Sequence, residues 1–259
     1  MVNIIKIIVW VSVLATLILN RAIGAETLNV AVASNFKPAL DKLIDPFERK
    51  HNVDVVVSFG STGTLYAQIS HGAPFDVFLA ADKERPELLE QNQLITEGSR
   101  KTYAIGQLAY LSSGRDRINL AALKEFKGRV AIANPKTAPY GHAAQYFLTR
   151  NASHLLLNRH KVTANSIAQA FQFVSSGNVD GGFVALSQII QMKRPGKYWL
   201  VPQRYYSPIV QQMVTLKRSE KQALAKQFTQ YLLSKETQQK ISSAGYQIFH
   251  ESVGALFSG

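Results

Sequence analysis

Four short stretches of this 259-residue chain combine small hydroxyls, glycine and backbone donors. They are Ala33-Ser34-Asn35-Phe36, Gly60-Ser61-Thr62-Gly63-Thr64, Ala138-Pro139-Tyr140-Gly141 and Phe183-Val184-Ala185-Leu186. None contains Asp, Glu, Lys, Arg or His. The chemistry open to such a set is the solvation of an anion by neutral hydroxyls, backbone N–H groups and the partly positive ends of helices. Each hydrogen bond to a charged group contributes roughly 1.5–3 kcal/mol, so several together offset the desolvation of a small dianion. With no carboxylate to take up a proton, the pattern favours a fully ionised oxyanion over hydrogen phosphate. Taken singly the stretches are ordinary. Ser34 or Asn35 suits a helix cap, and Val184 suits a core. Gly60–Gly63 suits a tight turn and lacks the Gly-Lys-Ser/Thr of a phosphate-binding loop. Their joint placement carries the reading.

The elements that must position them alternate along the chain. Leu28–Ala33 reads as a strand, and Phe36, Leu40, Leu43, Ile44 and Phe47 recur at helical spacing. Val53–Phe59 is β-branched and apolar on both faces, which suits the middle of a parallel sheet. Leu65–Ile69 reads as a helix stopped by Gly72 and Pro74, and Asp76–Ala81 as a buried strand. This β-α-β-α-β order predicts a doubly wound α/β sheet. A second cycle follows, with strands at Tyr103–Leu111, Arg129–Ala133, Gly182–Ala185 and Pro208–Leu216. Its helices lie at Ala143–Leu148 and around Ile167, Phe171 and Val174. Helices around Leu224–Leu232 and Ile241 follow the last strand. No Pro/Gly/Ser linker separates the cycles, which predicts two lobes joined by crossing strands near Tyr103–Gly106 and Pro208–Val214. In open α/β sheets ligands bind beyond the carboxyl ends of the strands, where all four stretches fall.

Other chemistries find little support. Cysteine is absent, which excludes disulfides, thiol nucleophiles, iron–sulfur clusters and a lipid anchor on an N-terminal cysteine. The six histidines form no HExxH motif, and no GxSxG elbow is present. His142 lies beside the third stretch. Asp82 precedes Lys83-Glu84-Arg85-Pro86 and suits a helix cap better than acid–base work with Asp76. At the N-terminus Lys6 leads into the apolar run Ile7–Ile18, followed by small residues at Ala22, Gly24 and Ala25. That run reads as a secretory signal spanning residues 1–25, with an uncleaved signal anchor as the alternative. Its removal takes Lys6 and Arg21 from a chain of formal charge +12, leaving 27 basic against 17 acidic residues. The basic residues are scattered and lack the pattern of a nucleic-acid module. A positive surface raises encounter rates with a dianion while the pocket itself stays neutral.

The stretches AVASNF, VVVSFGSTGTLYAQI and GAPFDVFLAAD between Leu28 and Asp82 resemble the periplasmic molybdate-binding proteins of ABC importers, the ModA family. So do YAIGQLAYL, ANPKTAPYG, GGFVALSQI and YYSPIVQQ, in order along nearly all of the chain after the leader. The resemblance implies the type II periplasmic-binding-protein fold, with two doubly wound α/β lobes joined by two crossing strands. Residues 26–104 and 213–259 would form lobe 1 and residues 105–212 lobe 2. It implies a monomeric periplasmic binding protein, not an enzyme, that needs no cofactor and delivers molybdate or tungstate to a membrane permease. Family ligand positions match Ser34 or Asn35, Ser61 and Thr62, and the backbone donors of Tyr140 and Val184. Many members carry a tyrosine directly before the proline of the returning strand. Here that position is Ser207, with Tyr206 one residue earlier, so a phenol from Tyr140 is the alternative donor. A binding protein for another tetrahedral oxyanion such as sulfate remains open, as does a secreted enzyme on the same fold.

Overall fold

The computed structural model describes residues 25–114, 118–192 and 197–248. The apolar leader up to Gly24 and the segment from Phe249 onward lie outside them. The strands are β1 (Glu26–Ala33), β2 (Val53–Gly60), β3 (Val77–Leu79), β4 (Lys101–Gly106), β5 (Leu108–Ser112), β6 (Val130–Ala133), β7 (Lys161–Ala164), β8 (Gly181–Ala185), β9 (Tyr198–Leu200) and β10 (Ile209–Thr215). The α-helices are α1 (Lys37–Leu40), α2 (Ile44–His51), α3 (Thr62–Ser70), α4 (Glu84–Gln91), α5 (Leu120–Glu125), α6 (Pro139–Asn151), α7 (Ile167–Ser175), α8 (Leu186–Ile190), α9 (Gln222–Leu233) and α10 (Lys235–Ser243).

The strands form two five-stranded sheets, ordered β2-β1-β3-β10-β4 and β7-β6-β8-β5-β9. In the first, β1 runs parallel to β2 and β3, and β10 lies antiparallel between β3 and β4. The second repeats the plan, with β5 antiparallel between β8 and β9. Each lobe thus takes its one antiparallel strand from chain arriving out of the other lobe. The passages lie at Gln107 and between Leu200 and Ile209, whereas the sequence reading put them at 104/105 and 212/213. After α10 the chain returns to the first sheet, where Gln247 exchanges both backbone hydrogen bonds with Ile105 at 2.9 Å.

Strand alternation builds the cores. Leu28, Val30 and Val32 of β1 pack with Phe36, Phe47 and Phe228 on one face of the first sheet. Ala31 faces the other side with Leu65, Ile69 and Leu89 from α3 and α4. The second lobe closes over Phe147, Phe183, Val184 and Ile132. Helices therefore cover both faces, as the alternating pattern predicts.

Three sequence expectations change. β2 is an edge strand rather than a central one: α2 covers one face, and Val56 on the other is 52% exposed. Its apolar run reflects β propensity as much as burial. The single strand expected at Tyr103–Leu111 is divided at Gln107 between the two sheets. β7, whose Lys161-Val-Thr-Ala is too short and mixed for a periodic signal, is a strand the sequence reading lacks.

Candidate functional site

Parallel register positions the site. At the ends of β1 and β2, Ala33 lies opposite Gly60, so the turns that follow emerge side by side. Across the cleft, Ala133 lies opposite Ala164 at the ends of β6 and β7, and the starts of α6 and α7 emerge in the same way. The two pairs of helix starts converge on a small cavity. It is lined by Ala33, Ser34, Asn35, Gly60, Ser61, Thr62, Ala81, Ala138, Pro139, Tyr140 and Ile167, with no charged side chain among them.

The hydroxyls divide by what else they touch. The Ser34 side chain is almost completely buried, yet among the described residues its Oγ has no hydrogen-bond partner. An unsatisfied buried hydroxyl costs about 1–3 kcal/mol, so a cavity anion that it can reach would relieve a deficit built into the fold. Thr62 Oγ1 accepts the Ala81 N–H at 3.0 Å, which spends a lone pair and leaves its proton to be donated. Ser61 Oγ pairs with Thr64 Oγ1 at 2.7 Å. The Asn35 side chain is engaged away from the cavity. Its Nδ2 donates to Gln211 Oε1 at 3.0 Å and to Tyr246 Oη at 3.1 Å, which commits both protons. What Asn35 can still offer is its backbone N–H.

The helix starts reinforce this. No side-chain cap satisfies the N-terminal N–H groups of α3, α6 or the 3-10 turn Ser34–Phe36. Uncapped N–H groups at a helix start are ready anion donors. Pro139 at the start of α6 has no N–H, so Tyr140 and Gly141 carry the next ones.

The structure brings Ser34, Asn35, Ser61, Thr62 and Tyr140 to one cavity, but not Val184. Val184 lies within β8, opposite Ala109 of β5, and is wholly buried in the second core. From that lobe Ile167 also lines the cavity. As the first residue of α7, Ile167 has no intrahelical acceptor for its N–H. The signal is present in the sequence, because Ser166 caps α7 through Gln169 N at 3.2 Å. Asn165-Ser166 is thus one more uncharged helix start, hidden because β7 does not read as a strand. Gln188 ties the two junctions together: its Oε1 accepts Ala185 N at 3.0 Å and its Nε2 donates to Ile167 O at 3.1 Å.

Tyr206 is drawn elsewhere. Its Oη accepts Leu108 N at 3.0 Å, at the start of β5, and Ser207 lines a broader neighbouring cleft of about 320 Å³. His142 also lines that cleft, together with Asp82, Lys83 and Arg85. Asp82 accepts Arg85 N at 3.0 Å and pairs with the Arg85 guanidinium at 3.1 Å, the helix-starting role expected of it. Burial pushes its carboxyl above the usual range, and the Arg85 contacts oppose that. Around the cavity, burial raises the phenols of Tyr103, Tyr140 and Tyr246, so all three stay protonated and neutral at physiological pH. Asp76 lies apart, accepting Asn29 N at 2.7 Å and Ser219 Oγ at 2.6 Å.

The lobes touch around the cavity. Gly63 N donates to Thr137 O at 2.8 Å, Arg85 Nη2 to Lys136 O at 3.2 Å and Ser187 Oγ to Asn35 O at 2.9 Å. This is the geometry of a closed cleft.

Residues 28–247 match the family model described as bacterial extracellular solute-binding protein. The chain is 41% identical over 231 residues to the molybdate-binding protein ModA of Azotobacter vinelandii, covering 87% of this chain and 91% of that protein. It is 39% identical over 225 residues to the ModA of Rhodobacter capsulatus, covering 86% and 89%. The solved Azotobacter vinelandii periplasmic molybdate-binding protein superposes with a TM-score of 0.82 at 40% identity, over 86% of this chain and all of that one. With two sheets of matching order, a neutral cavity between them and relatives this similar over nearly their full length, the chain belongs to the ModA family of bacterial extracellular solute-binding proteins.

Proposed function

We propose that this protein captures molybdate in the periplasm and hands it to the membrane permease of an ABC importer. Tungstate, of nearly the same size and charge, binds comparably. The protein works as a binding protein, with no reaction to catalyse and no cofactor, and acts as a monomer without nucleic-acid partners. A leader cut near Ala25 would deliver it. The observation that carries the reading is the unpartnered, buried Ser34 Oγ in a cavity without a charged side chain. A dianion that keeps no proton needs donors only, and Ser34, Thr62 and the helix-start N–H groups of Tyr140 and Ile167 are donors. Hydrogen phosphate must also donate, and an uncharged cradle lacks the strong acceptor that a carboxylate would supply.

Isothermal titration of the protein lacking residues 1–25 with molybdate, tungstate, sulfate and phosphate tests this. Molybdate and tungstate are expected to bind tightly and sulfate far more weakly. Tight binding of phosphate alone, or of sulfate alone, would replace the ligand while leaving the fold untouched.

A further inference from the structure

A buried amide lies beneath the cavity and belongs to neither set of donors. Gln211, in β10 of the first lobe, is completely shielded from solvent. Its Oε1 accepts Asn35 Nδ2 at 3.0 Å and faces Tyr103 Oη at the same distance. Its Nε2 donates to Tyr140 Oη at 3.3 Å, across the cleft in the second lobe. One side chain therefore touches a cavity-lining residue from each lobe, and its oxygen spends both lone pairs within its own lobe. Gly106, the last residue of β4 before the crossing, leaves the room for this link. A Cβ there would lie 2.2 Å from Tyr140 Oη and 2.7 Å from Gln211 Nε2.

We propose that Gln211 is a positioning residue that sets the separation of the two cavity walls, and through it the size of anion the closed protein prefers. The bond to Tyr140 crosses the cleft, so it is made on closure and broken on opening. It also occupies a lone pair of the Tyr140 phenol while leaving that proton to be donated. The inference rests on the oxyanion-binding reading, with molybdate as the ligand.

The test compares wild type with Gln211→Met, which keeps the volume and removes the bonds, and with Gly106→Ala, which crowds the same link from the opposite side. Titration with molybdate, tungstate, sulfate and phosphate, stopped-flow dissociation of the bound anion and thermal melting without ligand are measured on all three. The expected result is a rise of about tenfold or more in the molybdate dissociation rate, with little change in association. The preference for molybdate over sulfate should narrow in both variants. Unchanged dissociation and selectivity would overturn the proposal. So would equal losses for every anion that track a fall in ligand-free melting temperature, since that marks a merely structural residue. Should Gln211→Met fail to fold, Gly106→Ala gives the same two readouts. If wild type binds a different anion, the ligand reading fails, and the same dissociation and selectivity comparison on that anion decides the role of Gln211.

Discussion

Two hydroxyls at the cavity differ in what they do for the protein without ligand. Ser34 Oγ is unpartnered and buried, so Ser34→Ala removes a donor to the anion and a standing deficit in the fold together. Binding of molybdate is expected to weaken by about 1.5–3 kcal/mol, while stability to denaturant without ligand is unchanged or rises slightly. Thr62 Oγ1 also holds the Ala81 N–H, so Thr62→Val leaves a buried donor orphaned. That variant should lose affinity and also about 1–3 kcal/mol of ligand-free stability. Calorimetric titration alongside urea unfolding separates the two, and matching behaviour would show that the division of roles is wrong. Both residues stand out in the sequence only through the joint placement of uncharged stretches after strands, since a serine or threonine there serves equally well as a helix cap. The commitment of the Asn35 side chain was not legible, since its partners Gln211 and Tyr246 lie 176 and 211 residues away.

At the scale of elements, what matters is which helix starts face the cavity. If Ile167 contributes its N–H, then Ile167→Pro removes that hydrogen at the first helical position, where proline is tolerated. Ser166 is already extended, at φ −146° and ψ 167°, as a residue before proline must be. Affinity for molybdate is expected to fall by about 1.5–3 kcal/mol with α7 intact by circular dichroism. Val184→Ala should do the reverse, costing about 1–3 kcal/mol of stability through a core cavity and leaving affinity near wild type. Unchanged affinity in Ile167→Pro would mean that the second-lobe donor lies elsewhere. The sequence reading missed Ile167 because a four-residue strand such as β7 carries almost no periodicity, and without that strand its helix start is not recognised as a junction.

At the scale of the whole molecule, the protein is two copies of one sheet plan that exchange a strand. Closure brings Gly63 against Thr137, and a Cβ at Gly63 would stand 3.0 Å from Thr137 Cα. Gly63→Val obstructs this approach, since the three atoms nearest such a Cβ all belong to Thr137. Overpacking of about 1–3 kcal/mol at the contact translates to an affinity loss of about five- to 150-fold. Small-angle scattering should show the variant compacting less than wild type on adding molybdate, with ligand-free stability preserved. Full compaction at normal affinity would mean that the Gly63–Thr137 contact is incidental to binding.

The sequence by itself determined the alternation of strands and helices, the two-lobe plan and the uncharged character of the junctions. These are local properties, set by side-chain period, turn chemistry and the absence of charge. Tertiary structure alone decided which junctions meet, because that depends on strand order. β7 and β6 stand together in the second sheet as β2 and β1 do in the first, so Ile167 joins Tyr140 at the cavity, while Val184 on β8 lies in the core. It also decided that Gln211, an ordinary-looking amide in an apolar strand, would link the two walls, since strand exchange carries β10 back beneath the cleft.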